Sequence, residues 1–195
     1  IRYGYSPVKQ AIAGGQHEYE KGLFYGGKSI SGNLVFLEKW IRENLSSAKK
    51  ILGLEVHSGL GPFGYDTLIS QLLPTDPKIP NLEKTLAHKI STDDPKESVA
   101  FRTSGDVASA VPEIITKLSG SQCDWILQEF GTYNIIKMLS AFRDENMHYH
   151  HGCSDLNHWS KKNLFEAFNP ANRRWRQFVV GRGMDLFAKG ISWLD

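Results

Sequence analysis

Two polar side chains, those of His57 and Glu129, each stand directly after an apolar segment of the chain. The run ILGLEV leads into His57, and the run DWILQ leads into Glu129. In open α/β sheets, ligands gather at the carboxyl ends of the strands, so this imidazole and this carboxylate are candidates for one site. Such a pair suits a metal ligand beside a general base, or an acid–base pair. A solvated or hydrogen-bonded residue at the rim of the sheet is the simpler interpretation of each, and the spacing alone leaves both open.

A glycine-rich segment follows His57 and raises the question of a phosphate-binding loop. Residues 54–69, LEVHSGLGPFGYDTLI, contain the pattern G-x-G-x-x-G at Gly59, Gly61 and Gly64. A dinucleotide site needs a helix after the glycines, whose free N–H groups hold the pyrophosphate. Here Pro62 removes one backbone donor, and the residues that follow favour a strand. We therefore predict a tight turn that brings the backbone close to another segment.

Apolar periodicity indicates which elements carry these residues. The sequence predicts buried strands at 49–56 and 123–130, and helices at 33–44, 81–90, 107–118, 134–146 and 171–194. Segment 66–73 fits either a strand or a helix, and residues 1–30 and 91–106 are predicted loops. We expect the last helix to be broken or bent near Gly181 and Gly183. Alternating strands and helices predict an α/β fold with a largely buried sheet.

Composition excludes several classes of protein. The chain has 195 residues, 41% of them hydrophobic and 23% charged, as in an ordinary globular domain. A net charge of +2 gives no reason to expect a nucleic-acid partner, and the basic turn at Arg173, Arg174 and Arg176 is interpreted as a solvated helix face. No apolar stretch reaches the roughly 20 residues of a membrane helix, so no membrane partner is expected. Cys123 and Cys153 are predicted to be free thiols. Nothing in the sequence indicates a cellular compartment.

Five longer motifs occur one after another along the chain. They are GLFYGG at 22–27, EVHSGLGPFG at 55–64, EFGTY at 129–133, AFRDENMHYHHG at 141–152 and NLFEAFNPANRRWRQFVVGRG at 163–183. Together they resemble an uncharacterised branch of the zinc carboxypeptidase superfamily, the carboxypeptidase A-like metallopeptidases. The resemblance covers nearly the whole chain. It implies an αβα sandwich around a mixed, mostly parallel sheet.

The resemblance also implies a reaction. His57 matches the zinc-binding histidine that ends a central strand, and Glu129 matches the glutamate that activates the zinc-bound water. Zinc then lowers the pKa of the water, the carboxylate accepts its proton, and the hydroxide attacks an amide carbonyl. This implies a zinc-dependent hydrolase of amide or peptide bonds, with zinc as cofactor and a peptide or small amide as substrate. The alternative is a non-catalytic binding or structural module on a degenerate or incomplete hydrolase fold.

Two family motifs have no match in this chain. The early His-x-x-Glu zinc motif and the Asn-Arg substrate clamp of that superfamily belong before GLFYGG. We therefore expect residues 1–195 to be one domain, the C-terminal two-thirds of a zinc-peptidase-like domain, inactive alone and without a well-held zinc at His57. Its core is expected to be open on one side, where the preceding segment or another copy would bind. The segment HEYE is formally His-x-x-Glu, but we predict that His17 and Glu20 are solvated loop residues.

The chain also differs from true carboxypeptidases in a residue linked to substrate specificity. True carboxypeptidases carry a mobile tyrosine before the catalytic glutamate, whereas this chain has none between Tyr65 and Tyr133, and Phe101 and Arg102 lie in that loop. Amidase or deacylase activity on small amino-acid conjugates therefore fits as well as carboxypeptidase activity.

A histidine cluster, His148, His150 and His151 with Cys153, suggests a second metal site or the lining of a pocket. We favour the C-terminal end of a helix, where imidazole groups interact favourably with the helix dipole.

Overall fold

The fold is described by a computed structural model for residues 14–92, 106–152 and 155–194. The strands of these ranges are β1 (Lys50–Gly59), β2 (Asp66–Ile69), β3 (Ile90–Ser91) and β4 (Gln122–Gly131). The helices are α1 (Gly32–Asn44), α2 (Lys78–Leu86), α3 (Val107–Ser119), α4 (Ile135–His151), α5 (Trp159–Phe168) and α6 (Arg173–Leu194).

The strands form one sheet in the order β1-β4-β2-β3. β1 pairs with β4 and β2 pairs with β3 in parallel, whereas β2 and β4 are antiparallel. Among the described residues, β1 is therefore an edge strand and β4 is central. The prediction of a buried strand at 49–56 was wrong in burial, because an edge strand is only partly covered. The mixed, mostly parallel sheet confirms the predicted α/β fold.

Helices cover both faces of the sheet because side chains alternate along each strand. On one face, Ile41 of α1 and Val111 and Ile115 of α3 pack against Ile51 and Trp125 of the sheet. The opposite face is covered by α2 and α6. Its core includes Leu52, Leu54, Leu68, Ile79, Leu82, Leu86, Ile90, Ile126, Leu186 and Trp193. This layering is the expected αβα sandwich.

Helix boundaries follow from local capping. The side chains of Ser31, Asp106 and Asn134 accept backbone N–H groups in the first turns of α1, α3 and α4. At the end of α3, Gly120 adopts a left-handed conformation (φ 64°) that suits glycine. These caps agree with helix starts predicted within one residue for α1, α3 and α4.

Several predicted boundaries were wrong. Helix α5 was not expected. Ile90, predicted to end a helix, and Ser91, predicted to begin a loop, form the short strand β3 instead. The ambiguous segment 66–73 is a strand over 66–69 only. The last helix was expected to break near Gly181 and Gly183, but α6 continues through both. Each glycine costs a helix about 1 kcal/mol, and burial of Trp175, Leu186 and Trp193 outweighs that cost. Most of the predicted loop at 91–106 lies outside the described residues.

One face of α6 is apolar and exposed. Its side chains are Val180, Met184, Phe187, Ile191 and Leu194. The alternating spacing of four and three residues places them on a single stripe. Within the described ranges, no helix combines the length and apolar character needed to cross a bilayer.

Candidate active site at the carboxyl ends of β1 and β4

The register of the two parallel strands places His57 directly opposite Glu129. Both side chains therefore lie on the same face, at the carboxyl end of the sheet. The distance from His57 Nδ1 to Glu129 Oε2 is 3.9 Å. The structure thus brings together the two residues that the sequence placed at strand ends. Their roles as zinc ligand and general base stay predictions.

Glu129 is a buried carboxylate with one oxygen anchored. Only 8% of the residue is exposed, and Oε1 accepts the backbone N–H of Leu60 at 2.9 Å. Burial raises the pKa of Glu129, although the Leu60 hydrogen bond and the charge of His57 act in the opposite direction. Among the described residues, Oε2 accepts no hydrogen bond and faces His57. A carboxylate with a raised pKa and a free oxygen is suited to accept a proton.

His57 is held from the side opposite Glu129. Its Nε2 lies 2.7 Å from Glu55 Oε1, and the imidazole is about half exposed. The hydrogen bond to Glu55 is the largest influence on the pKa of His57 and raises it, whereas burial lowers it. Glu55 was missed in the sequence. The signal was its position two residues before His57 on the same strand, which places both side chains on one face.

Glu55 in turn is held by Trp125. The indole Nε1–H donates to Glu55 Oε2 at 2.9 Å. Burial raises the pKa of Glu55, but the hydrogen bonds from His57 and Trp125 outweigh burial and leave the pKa below its usual value. Glu55 is therefore ionised over a wide pH range, with one oxygen accepting the indole N–H and the other 2.7 Å from His57 Nε2.

The glycine-rich turn closes around the end of β4. Gly59, Gly61 and Gly64 have φ values of 153°, 106° and 70°, which side chains rarely tolerate. A Cβ on Gly131 would lie 2.0 Å from the carbonyl oxygen of Pro62, so backbone passes directly against backbone here. The prediction of a tight turn is confirmed. The element that follows is the strand β2, and not the helix that a pyrophosphate site needs.

A zinc ion at this site would need protein ligands besides His57. His57 suits one zinc ligand in atom type and exposure, and a catalytic site normally needs three protein ligands. Within residues 14–92, 106–152 and 155–194, no group of three or more His, Cys, Asp or Glu side chains is arranged to hold a metal ion. The described residues therefore supply one candidate ligand and not a complete set.

A family model matches residues 1–182, and its description is "Protein of unknown function (DUF2817)". The chain belongs to the DUF2817 family. The description names no activity and no zinc carboxypeptidase superfamily. No curated protein and no solved structure matches the chain.

In this DUF2817 chain, the formal His-x-x-Glu segment has local partners. His17 Nδ1 lies 2.9 Å from the carbonyl oxygen of Gly27, and Glu20 forms an ion pair with Lys28. Both His17 and Glu20 are exposed. They do not form a metal-binding group with His57 among the described residues.

The histidine cluster forms the last turn of α4, as predicted. His148 is buried, stacks on His158 with ring centroids 3.8 Å apart, and places Nε2 3.0 Å from the Asp155 carbonyl oxygen. His148 therefore packs α4 against the segment before α5. Cys153 lies outside the described residues.

Cys123 is a free thiol, and burial is the main cause that raises its pKa to about 11. Arg173, Arg174 and Arg176 are exposed in the first turn of α6. Residues 101 and 102, the Phe and Arg of the specificity loop, lie outside the described residues.

Proposed function

We propose that this DUF2817 protein is a zinc-dependent hydrolase of amide or peptide bonds, in which Glu129 is the general base and His57 is one zinc ligand. The observation that carries the proposal is the pairing of His57 with Glu129 across β1 and β4, with 3.9 Å between Nδ1 and Oε2. The ordered motifs that resemble carboxypeptidase A-like metallopeptidases support it independently.

The environment of Glu129 suits a base. Its Oε1 is fixed by the N–H of Leu60, so Oε2 is the atom that accepts a proton. Burial raises the pKa of this carboxyl above that of an exposed glutamate, which strengthens it as a base. After accepting the proton, Glu129 can donate it to the leaving amine, because the same oxygen faces the reacting position in both steps.

His57 supplies an imidazole nitrogen beside that carboxylate. Bound zinc would acidify a water molecule and polarise the substrate carbonyl. The proposed substrate is a peptide or a small amide conjugate. The conjugate is included because the chain has no tyrosine between Tyr65 and Tyr133 to indicate carboxypeptidase specificity.

The test uses the purified full-length protein. We expect about one zinc per polypeptide by metal analysis, as a single catalytic site requires. Glu129→Gln should retain the zinc and lose hydrolysis of acyl-amino-acid or peptide substrates by about 10²–10⁴-fold, the usual contribution of a general base. Glu113→Gln is the matched control, because Glu113 is an exposed residue of α3. Unchanged turnover in Glu129→Gln would remove the base role.

The alternative is a non-catalytic binding or structural module, and one observation favours it. The exposed apolar stripe of α6 offers a contact surface to a preceding segment or to another copy of the chain. Full-length protein without zinc and without hydrolysis, but with a partner bound over this stripe, would support the module.

A further inference from the structure

A tryptophan lies across β1 in the space that a glycine leaves open. Trp125 of β4 is in register with Gly53 of β1. A Cβ on Gly53 would lie 2.0 Å from Cε3 of the indole. Any larger residue at position 53 would therefore displace the ring. The missing side chain lets the indole lie over β1 and reach the next side chain on that face.

That next side chain is Glu55, and the contact continues to His57. The indole Nε1–H donates to Glu55 Oε2 at 2.9 Å, and Glu55 Oε1 lies 2.7 Å from His57 Nε2. A carboxylate only accepts hydrogen bonds, so the hydrogen of this second contact is carried by Nε2. Neutral His57 then has its lone pair on Nδ1, the nitrogen that faces Glu129.

We propose that Glu55, supported by Trp125, is a positioning residue that fixes His57 as the Nε2–H tautomer with Nδ1 directed toward Glu129. Histidines that bind metals commonly donate their other ring N–H to a carboxylate, which fixes the tautomer and the ring orientation. The consequence for zinc rests on the proposed function: Nδ1 is the atom offered to the ion. The tautomer itself does not rest on it and is tested without metal.

The first experiment is ¹⁵N NMR of the histidine side chains in the metal-free 195-residue chain, at a pH where the imidazole is neutral. We expect His57 to be predominantly the Nε2–H tautomer. Glu55→Leu should remove the preference. Glu55→Gln should remove it too, because the indole N–H of Trp125 takes the amide oxygen and leaves the amide N–H₂, a donor, against Nε2. The His57 signal is assigned from the spectrum of His57→Gln. An unchanged tautomer ratio in Glu55→Leu would overturn the proposal.

Support by Trp125 is tested by two milder variants. Trp125→Phe keeps an aromatic ring and removes the N–H donor, and Gly53→Ala keeps the donor and displaces the ring. Both should shift the His57 tautomer ratio toward that of Glu55→Leu. Lys117→Gln, an exposed change on α3, should leave the ratio unaltered. If both milder variants match the parent, Trp125 has no part in positioning. Circular dichroism of each variant identifies any that does not fold, and Glu55→Gln then serves for the comparison.

The second experiment measures zinc affinity of the full-length protein by competition with a chelator. Loss of the carboxylate partner of a metal-binding histidine typically lowers metal affinity 10–100-fold, so we expect about this loss in Glu55→Leu and in Glu55→Gln. Failure of the proposed function and failure of the positioning role give different results. Absence of zinc in the parent would contradict the proposed function and leave the tautomer result standing. Zinc bound equally by parent and Glu55→Leu would contradict positioning alone.

Discussion

Two buried carboxylates lie on opposite faces of the same end of the sheet, and their surroundings differ. Asp66 of β2 is in register with Phe130, on the face covered by α6, whereas Glu129 points to the other face. Asp66 Oδ1 accepts from Arg182 Nε at 3.1 Å, and Oδ2 accepts from Gln128 Nε2 at 2.8 Å. Glu129 has one oxygen held by Leu60 and another that faces His57 at 3.9 Å.

The difference separates a carboxylate that stabilises the fold from one that is available for a reaction. Both oxygens of Asp66 are occupied, and its charge is balanced by Arg182, so it joins β2 to α6. Glu129 is desolvated without equivalent compensation, which raises its pKa. A carboxylate of this kind, at the end of a central strand, is a candidate for function, because the fold has not used all of its hydrogen-bonding capacity.

Matched amide substitutions should separate the two carboxylates most clearly in turnover. In the full-length protein, Glu129→Gln should lower the proposed amide hydrolysis by about 10²–10⁴-fold, because no base remains. Asp66→Asn should stay within a few-fold of the parent per folded molecule. Steady-state kinetics, corrected for the folded fraction, measure both. Equal losses in the two variants would contradict the distinction.

Stability should change in the opposite order. Asp66→Asn leaves Arg182 without its counter-charge and places an amide N–H₂ against a donor, which should cost about 2–3 kcal/mol. For a chain of this size, that corresponds to a fall in Tm of roughly 5–10 °C. Glu129→Gln should not lower the Tm at pH 7. Thermal unfolding followed by circular dichroism makes the comparison, and a larger loss in Glu129→Gln would contradict it.

The effect of Glu129 on stability should also depend on pH. Its pKa in the folded protein lies above the ordinary value of 4.5, so the folded state binds this proton more tightly than the unfolded state does. Ionised Glu129 therefore costs stability above the folded pKa, and the cost disappears as the pH falls below 4.5. The stability advantage of Glu129→Gln over the parent should therefore shrink as the pH falls through this range. Urea unfolding at several pH values tests this, and an advantage that grows as the pH falls would have the wrong sign.

The smallest expected effect belongs to the exposed side of the site. The pKa of His57 is raised from 6.5 in the folded protein. Its contribution to folding stability is therefore complete below pH 6.5 and is lost as the pH rises through the folded pKa. The pKa of Glu55 is lowered from 4.5 in the folded protein. Its contribution to folding stability is therefore complete above pH 4.5 and is lost as the pH falls through the folded pKa. Between pH 4.5 and 6.5, metal-free parent should therefore exceed Glu55→Gln most in stability. Half-exposure of His57 and screening by salt keep the difference small. A difference that is greatest at pH 9 would contradict the ion pair.

Sequence patterns predicted the strong elements and missed the weak ones. The central strand β4 and the capped helices α3 and α4 follow from apolar runs and local hydrogen bonds, so their positions were predicted closely. β3 has only two residues and exists because Leu68 and Ile69 of β2 pair with them. The continuity of α6 through Gly181 and Gly183 depends on burial elsewhere in the helix. Neither feature has a local signal.

The sequence by itself determined that His57 and Glu129 lie near the carboxyl ends of two strands and that the glycines between them form a turn, because hydrophobic runs and backbone freedom are properties of the local chain. It did not determine the contact between them. Parallel pairing set the register that opposes His57 to Glu129, and the open space at Gly53 allowed Trp125 to reach Glu55. Those relations join residues about 70 positions apart, so they depend on how strands align in the sheet, and only the tertiary structure decides that alignment.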